Sequence, residues 1–127
     1  LIEAETNDSL TGAQAIGNNF SLVTDPNIES SLVIPHVTVR GTGNGTFDYY
    51  AFNVTAGNRG IFDIDGDLDN NNALDTGAFD TQLFLFDSAG NVLAQNDDFR
   101  TMAGGRGSSP SLGTGGTFDS YIDYVFT

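Results

Sequence analysis

The feature that most narrows the fold is a repeated rhythm of short alternating segments cut by Gly, Asn and Asp. The clearest is TQLFLFDSAGNVLAQN at 81–96, where Leu83 and Leu85 face one way and Phe84 and Phe86 the other. A period of two is that of a β-strand. The run Asp87-Ser88-Ala89-Gly90-Asn91 between its halves supplies a hairpin turn, with Gly90 free to take a left-handed backbone. FDYYAFNVTAG at 47–57 alternates likewise, with Tyr50, Phe52 and Val54 opposite Tyr49, Ala51 and Asn53. In RGIFDIDG at 59–66, Phe62 and Ile64 oppose Ile61, Asp63 and Asp65. NFSLV (19–23), SLVIPHVTVRG (31–41) and FDSYIDYVFT (118–127) read as further strands; Pro35 makes the second an edge strand or interrupts it. SLTGAQAIG at 9–17 has mild helical or turn character, and 103–117 is rich in Gly and Ser.

About seven short strands, turns between them and no long helical period predict an all-β chain folded as an antiparallel β-sandwich. With 127 residues there is material for one modest core, so 1–127 reads as a single domain. The final strand pattern has no partner after it. The sandwich is therefore expected to lack its last strand, either because the chain is a fragment or because another chain completes the open edge.

Charge narrows function. Seventeen acids face four basic residues, none of them Lys, for a net charge of -13. Nucleic acid needs a cationic face, so it is excluded as a partner. No run is long enough to insert in a membrane, and an anionic lipid surface would repel the chain. The absence of Cys excludes disulfides and thiolate metal sites. Disorder, a saline habitat or neutralisation by hard cations can each account for such acidity. Here the acids concentrate at turns beside Gly and Asn, which favours Ca²⁺.

Three groups are candidate metal sites. The first is EAETND, where Glu3, Glu5, Asn7 and Asp8 place four oxygen-bearing side chains in a short arm. In an extended segment residues 3, 5 and 7 share a face, with Cβ atoms roughly 7 Å apart. Ca²⁺–oxygen bonds of about 2.3–2.6 Å hold ligands closer than that, so the side chains must converge or the backbone must bend. The plain alternative is a solvated acidic terminus. The second is DIDGDLDNNNALD, with Asp63, Asp65, Asp67, Asp69, Asn71 and Asp75. It has the look of a calcium loop but is no EF-hand: Thr76 stands where the bidentate Glu belongs. Its alternative is a hydrophilic turn whose Asp and Asn cap their own backbone. The third comprises Asp80, Asp97, Asp98 and Asp119, each at a strand end. Acids gathered at one rim raise each other's pKa unless a cation intervenes.

Catalysis finds little support. His36, the one histidine, stands beside Pro35 in a strand pattern and reads as structural or exposed rather than catalytic. No nucleophile elbow or phosphate-binding glycine loop is present. Asn-x-Ser/Thr sequons begin at Asn7, Asn19, Asn44 and Asn53, as chance allows in a chain so rich in these residues.

The order of EAETND, FDYYAFNVTAG and FDTQLFLFDSAGNVLAQNDD resembles the bacterial pre-peptidase C-terminal domain, to which the collagen-binding domains of clostridial collagenases look related. The resemblance covers about residues 2–99 and, more loosely, FDSYIDYVF. It implies a jelly-roll-like sandwich, non-catalytic, serving as an accessory module of secreted or cell-surface bacterial proteins. It also implies calcium ligands at Glu3, Glu5, Asn7 and Asp8, joined by Asp48, while Gly45 stands where the family carries another acid. Two other expectations follow: a surface that binds collagen, polysaccharide or another protein, for which Tyr121 and Tyr124 are the candidate residues, or self-association in a surface layer or fibre through the open sheet edge.

Overall fold

The computed structural model describes residues 1–25, 28, 30–41, 43–64, 81–97 and 120–127. Their regular structure is strand, apart from two single-turn 3-10 segments. The described residues are therefore mostly strand with almost no helix, built into small two-stranded sheets, and the chain divides into two compact units, Leu1–Val54 and Thr55–Thr127.

In the first unit, a 3-10 turn at Leu10–Gly12 precedes strand β1, Gln14–Ala15. Ser9 caps that turn, its Oγ accepting from Gly12 N at 3.2 Å. Strand β2, Tyr50–Ala51, pairs with β1 in parallel, Gln14 opposite Tyr50 and Ala15 opposite Ala51. The two residues are all that the 47–57 alternation delivers as regular strand, and its facing holds only over 50–53: Tyr50 and Phe52 are half-buried, Ala51 and Asn53 exposed, whereas Tyr49 is half-buried and Val54 exposed. Phe52 meets Phe20 edge-on, ring centroids 6.5 Å apart. Ile16 is the buried apolar residue of this unit.

The expected strands at 19–23 and 31–41 shrink to isolated bridges, Ser21 with His36 and Ile2 with Arg40. The cause is local. The Ser30 carbonyl takes the amides of both Val33 and Ile34 at 2.9 Å, closing a turn, and Pro35 has no N–H to offer a ladder. Leu32, Val33 and Ile34 are left exposed. Likewise, a 3-10 turn at Gly17–Asn19 occupies the start of the 19–23 segment.

In the second unit, strand β3 (Arg59–Asp63) pairs antiparallel with β6 (Tyr121–Val125), Arg59 opposite Val125 and Asp63 opposite Tyr121. Strands β4 (Leu83–Phe86) and β5 (Val92–Asn96) form the hairpin read from sequence. Gly90 has φ 85° in its turn, as a left-handed position requires. Asp87 closes the turn with its carboxylate: Oδ1 accepts from Ala89 N at 2.9 Å and Asn91 N at 2.8 Å, Oδ2 from Asn91 Nδ2 at 2.8 Å. Those donors hold the Asp87 pKa below its usual value, the Asn91 side chain contributing most. Leu85 faces Ala94 and Phe86 faces Val92, so Leu93 is the extra residue of a β-bulge. Phe84 and Phe86 stack on one face, centroids 6.0 Å apart, while Leu85 is buried on the other.

Among the described residues, Leu85, Tyr121, Ile122 and Phe126 are the buried apolar side chains of this unit. Ser120, wholly buried, ties β6 to the segments flanking the hairpin. Its amide donates to Thr81 Oγ1 at 3.1 Å, and its hydroxyl is placed between the carbonyls of Thr81, at 2.6 Å, and Asp97. Tyr121 N donates to Asn96 Oδ1 at 3.0 Å. On the exposed side of the β3–β6 ladder, Arg59 forks onto Asp123, Nε to Oδ1 at 2.7 Å and Nη2 to Oδ2 at 2.5 Å.

Candidate metal centre

The acidic arm is extended only through Ala4, and it is held on both sides. On one, Glu3 N donates to Arg40 O at 3.0 Å and Arg40 N to Leu1 O at 2.9 Å, a parallel bridge centred on Ile2. On the other, the side-chain amide of Gln14 stands in for a neighbouring strand. Its Oε1 accepts from Ala4 N at 3.0 Å and its Nε2 donates to Ile2 O at 2.9 Å. A backbone donor and a backbone acceptor that would otherwise need water are thus paired by one side chain.

Beyond Ala4 the chain turns, with Asn7 N donating to Ala4 O at 3.1 Å. The bend answers the spacing problem posed by the sequence, because residues 3, 5 and 7 no longer lie along a straight strand. Asn7 O then accepts from Tyr49 N at 2.9 Å, which fastens the turn beside β2. The Asn7 side chain ends fully buried, at 0% exposure, and neither Oδ1 nor Nδ2 has a hydrogen-bond partner. The amide approaches the Tyr50 hydroxyl closely enough to offset part of the rise in its pKa, without completing a bond of ordinary geometry. An unpaired buried amide is costly, on the order of 1–3 kcal/mol.

Around it the acids each take a neutral donor. Glu3 Oε1 accepts from Tyr50 OH at 3.0 Å, Glu5 Oε2 from Asn44 Nδ2 at 2.7 Å, and Asp8 Oδ1 from Thr46 Oγ1 at 2.9 Å. Desolvation, a hydrogen bond to Glu3 and the charges of Glu3, Glu5 and Asp8 push the Asp48 carboxyl up to about 6. Desolvation, the Glu3 bond and nearby negative charge raise the Tyr50 phenol well above its usual value. Gly41 makes room for this arrangement: a Cβ there would lie 1.9 Å from Glu3 Oε2.

Glu3, Glu5, Asn7, Asp8 and Asp48 are thus one neighbourhood, oxygen-rich and short of positive charge. Among the described residues, however, no three acidic or histidine side chains converge closely enough to hold an ion as they stand. A shared ion would require the carboxylates to turn from their present donors. The unpaired Asn7 amide and the raised Asp48 pKa are what a hard cation would relieve, so the donor set fits Ca²⁺ in chemistry.

The other predicted residues are scattered or undescribed. Asp63 is half-buried at the end of β3, opposite Tyr121. Asp97 contributes its carbonyl to Ser120. Asp65, Asp67, Asp69, Asn71, Asp75, Asp80, Asp98 and Asp119 lie outside the described residues. Tyr121 is 6% exposed, which leaves a ligand little of its ring, and half-buried Tyr124 packs edge-on to Phe126 at 5.2 Å. Half-buried His36 has Nδ1 3.3 Å from Ile34 O.

Sequence reading missed Gln14, Gly41, Asn44, Thr46 and Tyr50 as parts of this neighbourhood. Their roles depend on contacts across up to 47 positions, as between Glu3 and Tyr50, which no local pattern announces. Two hollows of about 180 and 210 Å³ are small beside the roughly 300–1,000 Å³ of ordinary ligand pockets. Among the described residues, no helix is long and apolar enough to cross a membrane. Comparison with known protein families, curated proteins and solved structures finds no match to this chain.

Proposed function

We propose that the chain is a non-catalytic accessory module stabilised by calcium, a β-sandwich of an extracellular or cell-surface protein. Within that class, the pre-peptidase C-terminal type is the reading that the order of its sequence segments favours. The observation that carries the proposal is the Asn7 side chain, buried and unpaired among Glu3, Glu5, Asp8 and Asp48. A bound Ca²⁺ supplies positive charge to which Asn7 Oδ1 and the surrounding carboxylates are hard-oxygen donors. Glu3, Glu5, Asn7, Asp8 and Asp48 would hold it. Asn44, Thr46 and Tyr50 orient Glu5, Asp8 and Glu3 from outside, as supporting hydrogen bonds do at metal sites.

The role is structural. An ion that binds only the folded form stabilises it by mass action, about 1.4 kcal/mol at ten times Kd and about 2.7 at a hundred times. Extracellular calcium modules have Kd values near 10⁻⁴–10⁻³ M, so millimolar calcium suffices. The test is thermal unfolding in calcium and in EDTA, with magnesium as control. The midpoint is expected to rise with calcium concentration. One that does not move over the millimolar range removes the proposal.

A further inference from the structure

Asn44 is the one asparagine of the chain followed by glycine. Gly45 has φ 86°, and beyond its two chain neighbours no atom lies within 4 Å of where its Cβ would be. Gly45 is exposed, and its peptide nitrogen donates to no acceptor among the described residues. The Asn44 side chain curls over that peptide, because its Oδ1 accepts from Thr46 N at 2.9 Å and lies 2.5 Å from Thr46 Oγ1. Its Nδ2 donates to Glu5 Oε2 at 2.7 Å. The amide carbon thus has the Gly45 nitrogen beside it, donors on its oxygen and an acceptor holding its leaving nitrogen.

We propose that Asn44 is a self-modifying site, at which the folded chain converts its own amide into a carboxylate. Gly45 N loses its proton to solvent base and bonds to Asn44 Cγ. The oxygen of the tetrahedral centre becomes negative between the Thr46 N–H and hydroxyl, an arrangement that stabilises an oxyanion. The Thr46 hydroxyl has one proton, which serves either Asn44 Oδ1 or Asp8 Oδ1 at a time. The Cγ–Nδ2 bond then breaks, and the nitrogen leaves as ammonia with a proton from water. A five-membered imide joins residues 44 and 45. Water adds to one of its two carbonyls and opens it, leaving aspartate or isoaspartate. One water is consumed, one ammonia is released and nothing is oxidised or reduced.

The product has consequences in the neighbourhood. Where Nδ2 donated to Glu5, a carboxylate now faces a carboxylate, so an attraction becomes a repulsion. Where a cation is held by Glu5 and Asp8, the same change adds a hard-oxygen ligand beside it. The chemistry at Asn44 is independent of whether a cation binds.

The experiment follows the mass of the tryptic peptide Gly41–Arg59 after incubation of the whole chain at neutral pH, folded or in urea. The expected result is conversion at Asn44, with both aspartate and isoaspartate products, faster in the folded chain than in urea. Thr46→Val removes one oxyanion donor. In this exposed turn it should slow the folded reaction on the order of tenfold, less than the ~100-fold or more of a donor enclosed in an active site. Far-ultraviolet circular dichroism shows whether that variant is folded, and the wild-type comparison in urea needs no variant. Equal rates in the folded and urea-treated chains overturn the proposal, as does an unmodified Asn44 in the folded chain. Cleavage between Asn44 and Gly45 would make Nδ2 the nucleophile and overturn it too.

Discussion

Asn7→Leu separates the two accounts of the acidic arm more sharply than loss of any carboxylate. Asn7 is fully buried with both side-chain polar atoms unpaired, while its backbone bonds to Ala4 and Tyr49 do not depend on the side chain. Leucine has nearly the same size and no polar atoms to desolvate. Without a cation, the substitution removes a penalty on the order of 1–3 kcal/mol. At about 4 °C per kcal/mol for a chain of this length, the midpoint in EDTA should rise by roughly 4–12 °C. With calcium the order reverses in response. The wild type gains the mass-action term and the variant, lacking the Asn7 oxygen, gains little. Differential scanning calorimetry on both proteins in EDTA and in a calcium series reads all four quantities. A variant that melts well below the wild type in EDTA, together with a wild type indifferent to calcium, would refute the reasoning: Asn7 would then be satisfied by something other than an ion.

Three further outcomes are expected. With Asp48 pushed up to about 6 from 3.8, the folded form binds this proton more tightly than the unfolded form. Its stabilisation is full below about pH 4 and lost as pH rises through about 6. In EDTA, the wild type minus Asp48→Asn difference in unfolding free energy should therefore favour the wild type as pH falls from 7 towards 4. Two pKa units correspond to ~3 kcal/mol, which solvent screening at this exposed residue reduces to about 1; a flat difference denies the shift. At Gly60 a Cβ would lie 3.0 Å from the rings of Phe62 and Phe126, so Gly60→Ala should cost about 1–3 kcal/mol, read by urea unfolding. Ser120→Ala removes the buried hydroxyl whose one proton serves the carbonyl of Thr81 or of Asp97, and should cost about 1–2 kcal/mol, with faster hydrogen exchange at Tyr121.

The hairpin at 81–96 was legible, apart from the bulge at Leu93, because its information is local: alternation sets the faces, and the Asp87–Asn91 turn carries its own bonds. The final strand and the 59–63 strand were legible for the same reason, although their pairing with each other was not. Residues 31–41 misled. Their β-branched residues favour a strand, but the Ser30 turn and Pro35 remove consecutive donors from any ladder. At the candidate site, the acids of 3–8 were visible as a cluster and Asp48 through family resemblance. The donors that organise them were not, since Asn44, Thr46 and Tyr50 reach back 38 to 47 positions.

The arm's attachment also changes what a cation is needed for. Repulsion among Glu3, Glu5 and Asp8 suggests an arm that stays in place only when charge is neutralised. Yet Arg40 and Gln14 grip Leu1–Ala4 through backbone bonds that no carboxylate supplies. These bonds persist when the acids are ionised, because they join neutral peptide and amide groups. The strain falls instead on the turn after Ala4, where Asn7 is buried unpaired, and on Asp48 beside it, whose pKa is pushed up to about 6. Calcium would then act on the turn rather than on the arm. Chelation should loosen residues 5–8 and 44–48 while leaving the Glu3 and Arg40 amides protected from exchange, and substitution of Gln14 should have the opposite pattern.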